Sequence, residues 1–324
     1  MSKAFVVALV AGACFAWPVQ GQAPYAVPRT PWGDPDLQGL WPGTAMMGVP
    51  MERPLPPSGA RAGGPTGGGA GLGPPGHWGE RGLPQQQTSL VVDPPDGRIP
   101  PMTDEGKRRT AAVPKTWYYD NDGGGPFAAP TDLSAYDRCI TRGVVGSWMP
   151  AVYGNGARII QTPDSVVIAY EMVHDTRVIP LDGRPQLDPA IKQFMGDSRA
   201  RYEGDTLVIE ARNFTDRTNL GGARHSEELH LVERFTRVDP EMIDYEVHVE
   251  DPATYTAPWT MRMTVTRQPN YEIYEYGCHE GNNAMRNALS AERAYEKAVA
   301  EAREKGLPPP ERVFERVNGD DRAR

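Results

Sequence analysis

The sequence predicts a mainly β domain: an antiparallel up-and-down barrel of about eight strands with a C-terminal α-helix, an open β-sandwich being the alternative. Three observations carry this. Short runs between residues 158 and 276 alternate apolar and polar side chains with period two. Turn residues punctuate them, at Pro163-Asp164, Asp182-Gly183, Glu203-Gly204-Asp205 and Asp239-Pro240. Between the runs only 189–195 has room for a crossover helix, so strands adjacent in sequence are expected to pair in space.

In order, strands are expected over 158–162, 165–172, 176–181, 198–202, 206–213, 227–237, 242–250, 260–267 and 271–276. The clearest is 242–250, with Ile243, Tyr245, Val247 and Val249 on one face and Asp244, Glu246, His248 and Glu250 on the other. One apolar and one polar face marks a strand covered on one side. A helix follows over 283–306, its apolar stripe running from Met285 through Leu289 and Tyr295 to Val299, and Gly306 with the prolines after it ends it. That stripe is expected to pack on the outside of the barrel. Residues 307–324 form a charged tail.

The start of the chain reads differently. Lys3 precedes an uninterrupted apolar run to Trp17, and small residues surround Gly21. These are the parts of a secretory signal peptide, here 1–21, with cleavage expected near Gly21/Gln22 and a periplasmic or extracellular destination. The run is shorter than the roughly 20 residues a membrane-spanning helix needs. A buried N-terminal helix and lipidation at Cys14 are the competing readings. Residues 22–55 contain Trp32, Leu37, Leu40 and Trp41, and are expected to dock as an extended segment. Residues 56–101 read as a flexible insertion rich in Pro and Gly, too poor in large apolar side chains to offset its ordering entropy, above all over 56–87. Its GGGAGLG stretch lacks the Lys-Ser/Thr of a phosphate loop. The domain proper is then 102–282.

The formal net charge of −8 argues against a nucleic-acid partner, and no later stretch is apolar enough to span a membrane. Of three cysteines, Cys14 leaves with the leader, and Cys139 and Cys278 remain as a pair expected to form a disulfide in an oxidising compartment. Two separate buried thiols are the plainer alternative. No cofactor is expected, while a divalent metal on His and Glu side chains stays open.

Several motifs, PDLQGLW at 35–41, HDTRVI at 174–179, GDSRARYEGDTLVIEARNF at 196–214, LVERFTR at 231–237 and YGCHEGN at 276–282, together resemble a largely uncharacterised family of exported bacterial proteins. The hairpin pattern around residue 204 also resembles those of lipocalin-like barrels. The resemblance implies export and a β-fold, and assigns no catalytic residue.

Candidate site residues fall in four groups. His174 and Asp175 sit at a turn with Glu171 and Arg177, where a histidine beside carboxylates suits acid/base chemistry, or where Asp175 merely caps amides. His225 and Glu227 share one face of a strand start, a base with its orienter or a solvated edge. His279 and Glu280 lie beside Cys278, at a rigid corner or at a plain helix N-terminus. Arg199 stands among Asp197, Glu203 and Asp205, where cross-strand ion pairs are the ordinary explanation. Late aromatics, among them Tyr245, Tyr255, Trp259, Tyr271, Tyr274 and Tyr276, are expected in the core, with Trp259 and Tyr274 candidates for lining a pocket.

The sequence contains no Gly-x-Ser-x-Gly, His-Glu-x-x-His or dinucleotide-binding motif. Two functions follow. One is an exported barrel binding a small apolar or aromatic molecule. The alternative is an acid/base enzyme (lyase, isomerase or hydrolase) whose histidines converge at the barrel mouth. A third reading is an envelope-interaction protein that uses the Pro/Gly segment.

Overall fold

In the computed structural model the described residues are 25–54, 86–112, 127–151, 153, 154 and 156–311. The expected signal peptide and its cleavage site, the 56–85 part of the Pro/Gly-rich insertion and the end of the charged tail lie outside them.

The fold of the described residues is mainly β, with twelve strands, all in antiparallel sheets, and two α-helices. In chain order these are β1 (Gly39–Leu40), β2 (Val91–Asp93), α1 (Asp104–Ala111), β3 (Ala157–Gln161), β4 (Ser165–Tyr170), β5 (Thr176–Pro180), β6 (Asp197–Glu203), β7 (Thr206–Arg212), β8 (Asn219–Leu220), β9 (Ala223–Arg224), β10 (His230–Asp239), β11 (Met242–Glu250), β12 (Trp259–Thr266) and α2 (Asn283–Glu304). One sheet has the order β1-β3-β4-β5, the second β2-β12-β11-β10-β7-β6, and β8-β9 is a small hairpin.

Sequential strands pair as expected from β3 to β5, from β6 to β7, and from β10 to β12. No ladder joins β5 to β6, so the hydrogen-bonded order breaks there instead of closing. At the opposite margin the chain after β1 reaches both sheets. Trp41 exchanges backbone hydrogen bonds with Ala157 of β3, and Thr266 of β12 donates to the Pro42 carbonyl.

Four expectations are corrected. Residues 271–276 form no strand, although the segment alternates. The chain at 91–93, inside the insertion, is not flexible loop but strand β2, paired with β12, and Leu90 is buried. The domain also gains a helix, α1, that has no apolar stripe to announce it; its ends set it, where the Thr103 hydroxyl caps the Gly106 amide, Asp104 and Glu105 fill the first turn, and Arg108 and Arg109 the last. The apolar stripe of α2 is only half-buried, and Glu292 is the one buried residue on that helix.

The core lies between the two sheets and is filled. Trp148, delivered by the 139–150 loop, is fully buried with ring centroids 5.7 Å from Phe235, 5.3 Å from Tyr245 and 6.0 Å from Tyr170. Its indole N–H donates to the Trp41 carbonyl, and that of Trp41 to the Leu37 carbonyl. Strand parity puts one ion pair in this interior. Arg177 shares a face of β5 with Ile179, and Glu233 shares a face of β10 with Leu231 and Phe235. The guanidinium donates to both carboxylate oxygens at 3.0 and 2.6 Å, and to Ser198 at 2.9 Å. The Tyr245 hydroxyl donates to Glu233 at 2.8 Å. Burial opposes the charge on Arg177, and Glu233 and Tyr170 more than offset it, leaving its pKa raised. Burial likewise pushes the Tyr170 phenol up to about 12.

A buried pair of this kind is costly to break one-sidedly, because the survivor is an uncompensated charge. Glu233→Ala is expected to cost about 3–5 kcal/mol in urea unfolding, and the double variant Arg177→Met/Glu233→Leu to recover most of it. A single variant losing less than about 1 kcal/mol contradicts the arrangement.

Candidate functional site at the disulfide corner

Cys139 and Cys278 are bonded, with Cα atoms 5.8 Å apart across 139 residues of sequence. Beside the bridge lies an open cleft of about 680 Å³, lined by Tyr136, Tyr153, Tyr271, Tyr274, Tyr276 and Glu171. A volume of this size suits a drug-sized molecule.

The 271–276 segment, YEIYEY, is held by a side chain rather than a strand. Glu171 accepts from the Tyr271 hydroxyl at 2.7 Å, from the Tyr274 amide at 3.4 Å and from the Gly156 amide at 3.3 Å. Gly156 permits this approach, since a Cβ there would stand 2.7 Å from both the Glu171 carboxylate and the Tyr271 ring. The Tyr276 hydroxyl lies 3.0 Å from that of Tyr136 and 3.4 Å from that of Tyr153, whose ring stacks on Tyr276 at 5.9 Å. Burial and these two phenol neighbours push the Tyr276 pKa far up, so this phenol stays uncharged at neutral pH. The cleft therefore offers flat apolar rings, hydroxyl groups and four carboxylates, Asp137, Glu171, Glu272 and Glu275.

The turn between β4 and β5 aims two acids in different directions. Val173 and His174 are both left-handed, with φ of 64° and 57°, a strained pairing for a β-branched residue. Before it Glu171 faces the cleft. After it Asp175 accepts from Thr141 at 2.6 Å and from Ser147 at 3.3 Å, anchoring the loop that carries Trp148. Burial raises the Asp175 pKa, and those hydroxyls partly counter it.

The remaining sequence candidates are dispersed. His174 is exposed at the strained turn. His225 is buried against Phe214, its Nδ1 3.0 Å from the Ser226 carbonyl and its Nε2 against the Thr218 hydroxyl. A carbonyl only accepts, so Nδ1 carries the proton and Nε2 receives the hydroxyl's. Glu227 is exposed beside Lys192, off the face of His225. His279 and Glu280 are exposed in the turn before α2 and do not line the cleft. Arg177 belongs to the core, not to a ligand pocket. Arg199 is bound to Asp197 at 2.6 Å and to the Pro185 and Ser198 carbonyls. Trp259 is fully buried, edge-on to Tyr255. Of the sequence candidates, Glu171, Tyr274 and the disulfide come together. Tyr136 and Tyr153 were missed; the position of Tyr136 three residues before Cys139 was the available signal. Among the described residues no group of three or more His, Cys, Asp or Glu side chains is placed to hold a metal ion.

Desolvation lowers the pKa of His225. Below the free-histidine value of about 6.5 the unfolded chain takes up a proton that the folded chain resists, so stability falls as pH drops through that region. Unfolding free energies measured from pH 7.5 to 5 are expected to decline less steeply in His225→Gln than in the wild type. Equal slopes contradict this.

No family model matches the chain, and no curated protein matches it. Among solved structures, the crystal structure of a point mutant of the fluorescent protein UnaG aligns with a TM-score of 0.23 at 12% identity, over 36% of this chain and 72% of that one. A likeness at that level carries no argument about fold or function.

Proposed function

We propose that this is an exported small-molecule-binding protein, and that its ligand, an aromatic or otherwise flat apolar molecule with a polar group, sits in the tyrosine cleft at the disulfide corner. The cleft itself carries the reading: five tyrosines and four carboxylates line a concave space of about 680 Å³. Aromatic pairs with centroids 4.5–7 Å apart contribute roughly 0.5–1.5 kcal/mol each beyond area burial, so stacking on such a wall favours planar ligands. Glu171, with Asp137, Glu272 and Glu275 around the same space, then selects for a hydrogen-bond donor and against an anion. In this reading β3–β7 and β10–β12 are the wall of a lipocalin-like barrel whose interior Trp148 has plugged. The two-sided bonding of 41–42 and the single core shared by both sheets support it.

Export rests on the 1–21 leader, on the disulfide, and on the motif resemblance of the mature chain. The motif GDSRARYEGDTL falls on the β6–β7 hairpin, so in this reading it serves the fold rather than the ligand.

The test uses the mature chain recovered from the periplasm, with intact mass confirming a start near Gln22. The probe is 1-aminoanthracene, a planar neutral dye with an amine donor, followed by fluorescence titration. Saturable one-site binding is expected, weakened about tenfold in Tyr276→Ala and in Tyr274→Ala, the loss of roughly one stacking contact. Unchanged affinity in both variants overturns the assignment.

A further inference from the structure

A second concavity, of about 240 Å³, lies behind the same turn that supplies Tyr136 to the cleft. Three arginines line it: Arg138, Arg217 and Arg224. They come from different places, Arg138 from the turn before the disulfide, Arg217 from the loop after β7, and Arg224 from β9. Arg224 is partly engaged, donating to the Asp216 carbonyl and standing 3.7 Å from its carboxylate. Arg138 donates from Nε to the Ser134 carbonyl at 3.4 Å, and Arg217 has no carboxylate partner among the described residues.

The charges nearest Arg138 are mixed. Burial and the guanidinium of Arg217 disfavour its charge, and Asp137 favours it, with a net lowering of its pKa. The one carboxylate lining the pocket, Asp132, is turned to the Ala129 amide of its own turn at 2.8 Å. Asp137 accepts from the Ser134 amide and hydroxyl at 3.2 and 2.7 Å. The Arg138 and Arg217 guanidiniums thus repel across a concave space, in a chain whose net charge is −8. Two guanidinium forks match the oxygen pairs of an oxyanion bidentately, and the bound charge removes the repulsion.

We infer that the Arg138–Arg217–Arg224 pocket binds a small oxyanion, a phosphate or carboxylate group either free or on a small organic molecule. The pocket is larger than a bare phosphate needs, leaving room for a short organic remainder. It shares only the 134–139 turn with the tyrosine cleft, so its occupancy is independent of the function proposed there.

The mature chain is titrated with inorganic phosphate, with acetate and with chloride at matched ionic strength, read by melting temperature and by calorimetry. Saturable stabilisation by phosphate or acetate is expected, and whichever binds more tightly identifies the group. Arg217→Gln and Arg138→Gln are each expected to weaken it at least tenfold, and Tyr276→Ala to leave it unchanged. Arg217 is exposed, so Arg217→Gln is expected to melt in chloride no lower than the wild type. Chloride matching phosphate and acetate, no saturation by either, or unchanged affinity in both arginine variants overturns the assignment.

Discussion

The Cys139–Cys278 bridge joins two stretches that have no sheet partner of their own. On one side it opens the 139–150 loop, which turns inward to place Trp148 between Tyr170, Phe235 and Tyr245. On the other it ends the YEIYEY segment, which hangs from the Glu171 carboxylate. Cross-linking across 139 residues removes loop-closure entropy from the unfolded chain, about 5 kcal/mol in the chain-entropy model. More important here is position. Without the bridge the two groups of tyrosines are held together by phenol contacts and by the Asn282 amide, which donates to the Asp137 carbonyl at 2.6 Å.

The filled interior decides where a ligand goes. Small β-barrels that bind a molecule inside leave room for it. Here the space between the two sheets holds an indole, a stacked Phe235–Tyr245 pair at 4.6 Å, and a buried ion pair. The ion pair also explains why Arg177 is poor material for a ligand site: it is buried, and its two terminal nitrogens donate to Glu233, Ser198 and Tyr170. Surface concavities are what remain, among them one lined with phenols and one with guanidiniums near the disulfide.

Strand parity made much of this legible. The alternation of 242–250 and of the residues before 237 predicts the burial of Tyr245, Leu231 and Phe235, and the same counting applied to Arg177 and Glu233 places both inside. Treating charged residues as surface residues hid that pair. YEIYEY failed in the other direction. Its period-two pattern suits a strand, but a side-chain carboxylate took the backbone donor that a neighbouring strand would need. The break between β5 and β6 was illegible because ladder closure depends on long-range geometry rather than on local period. Histidines beside carboxylates proved weak markers, since His225 is satisfied by a neighbouring hydroxyl and carbonyl while His174 and His279 face solvent. The tyrosines of the cleft are spread over 136–276, and only the cysteine spacing hinted that their two groups meet.

The most direct measurement is the affinity of the mature chain for the neutral dye 1-aminoanthracene before and after the Cys139–Cys278 bridge is reduced under native conditions, with urea unfolding recorded on both forms. The account predicts that reduction weakens the dye by at least tenfold while the core still unfolds in one cooperative transition. Equal affinity in the oxidised and cooperatively folded reduced forms would contradict it.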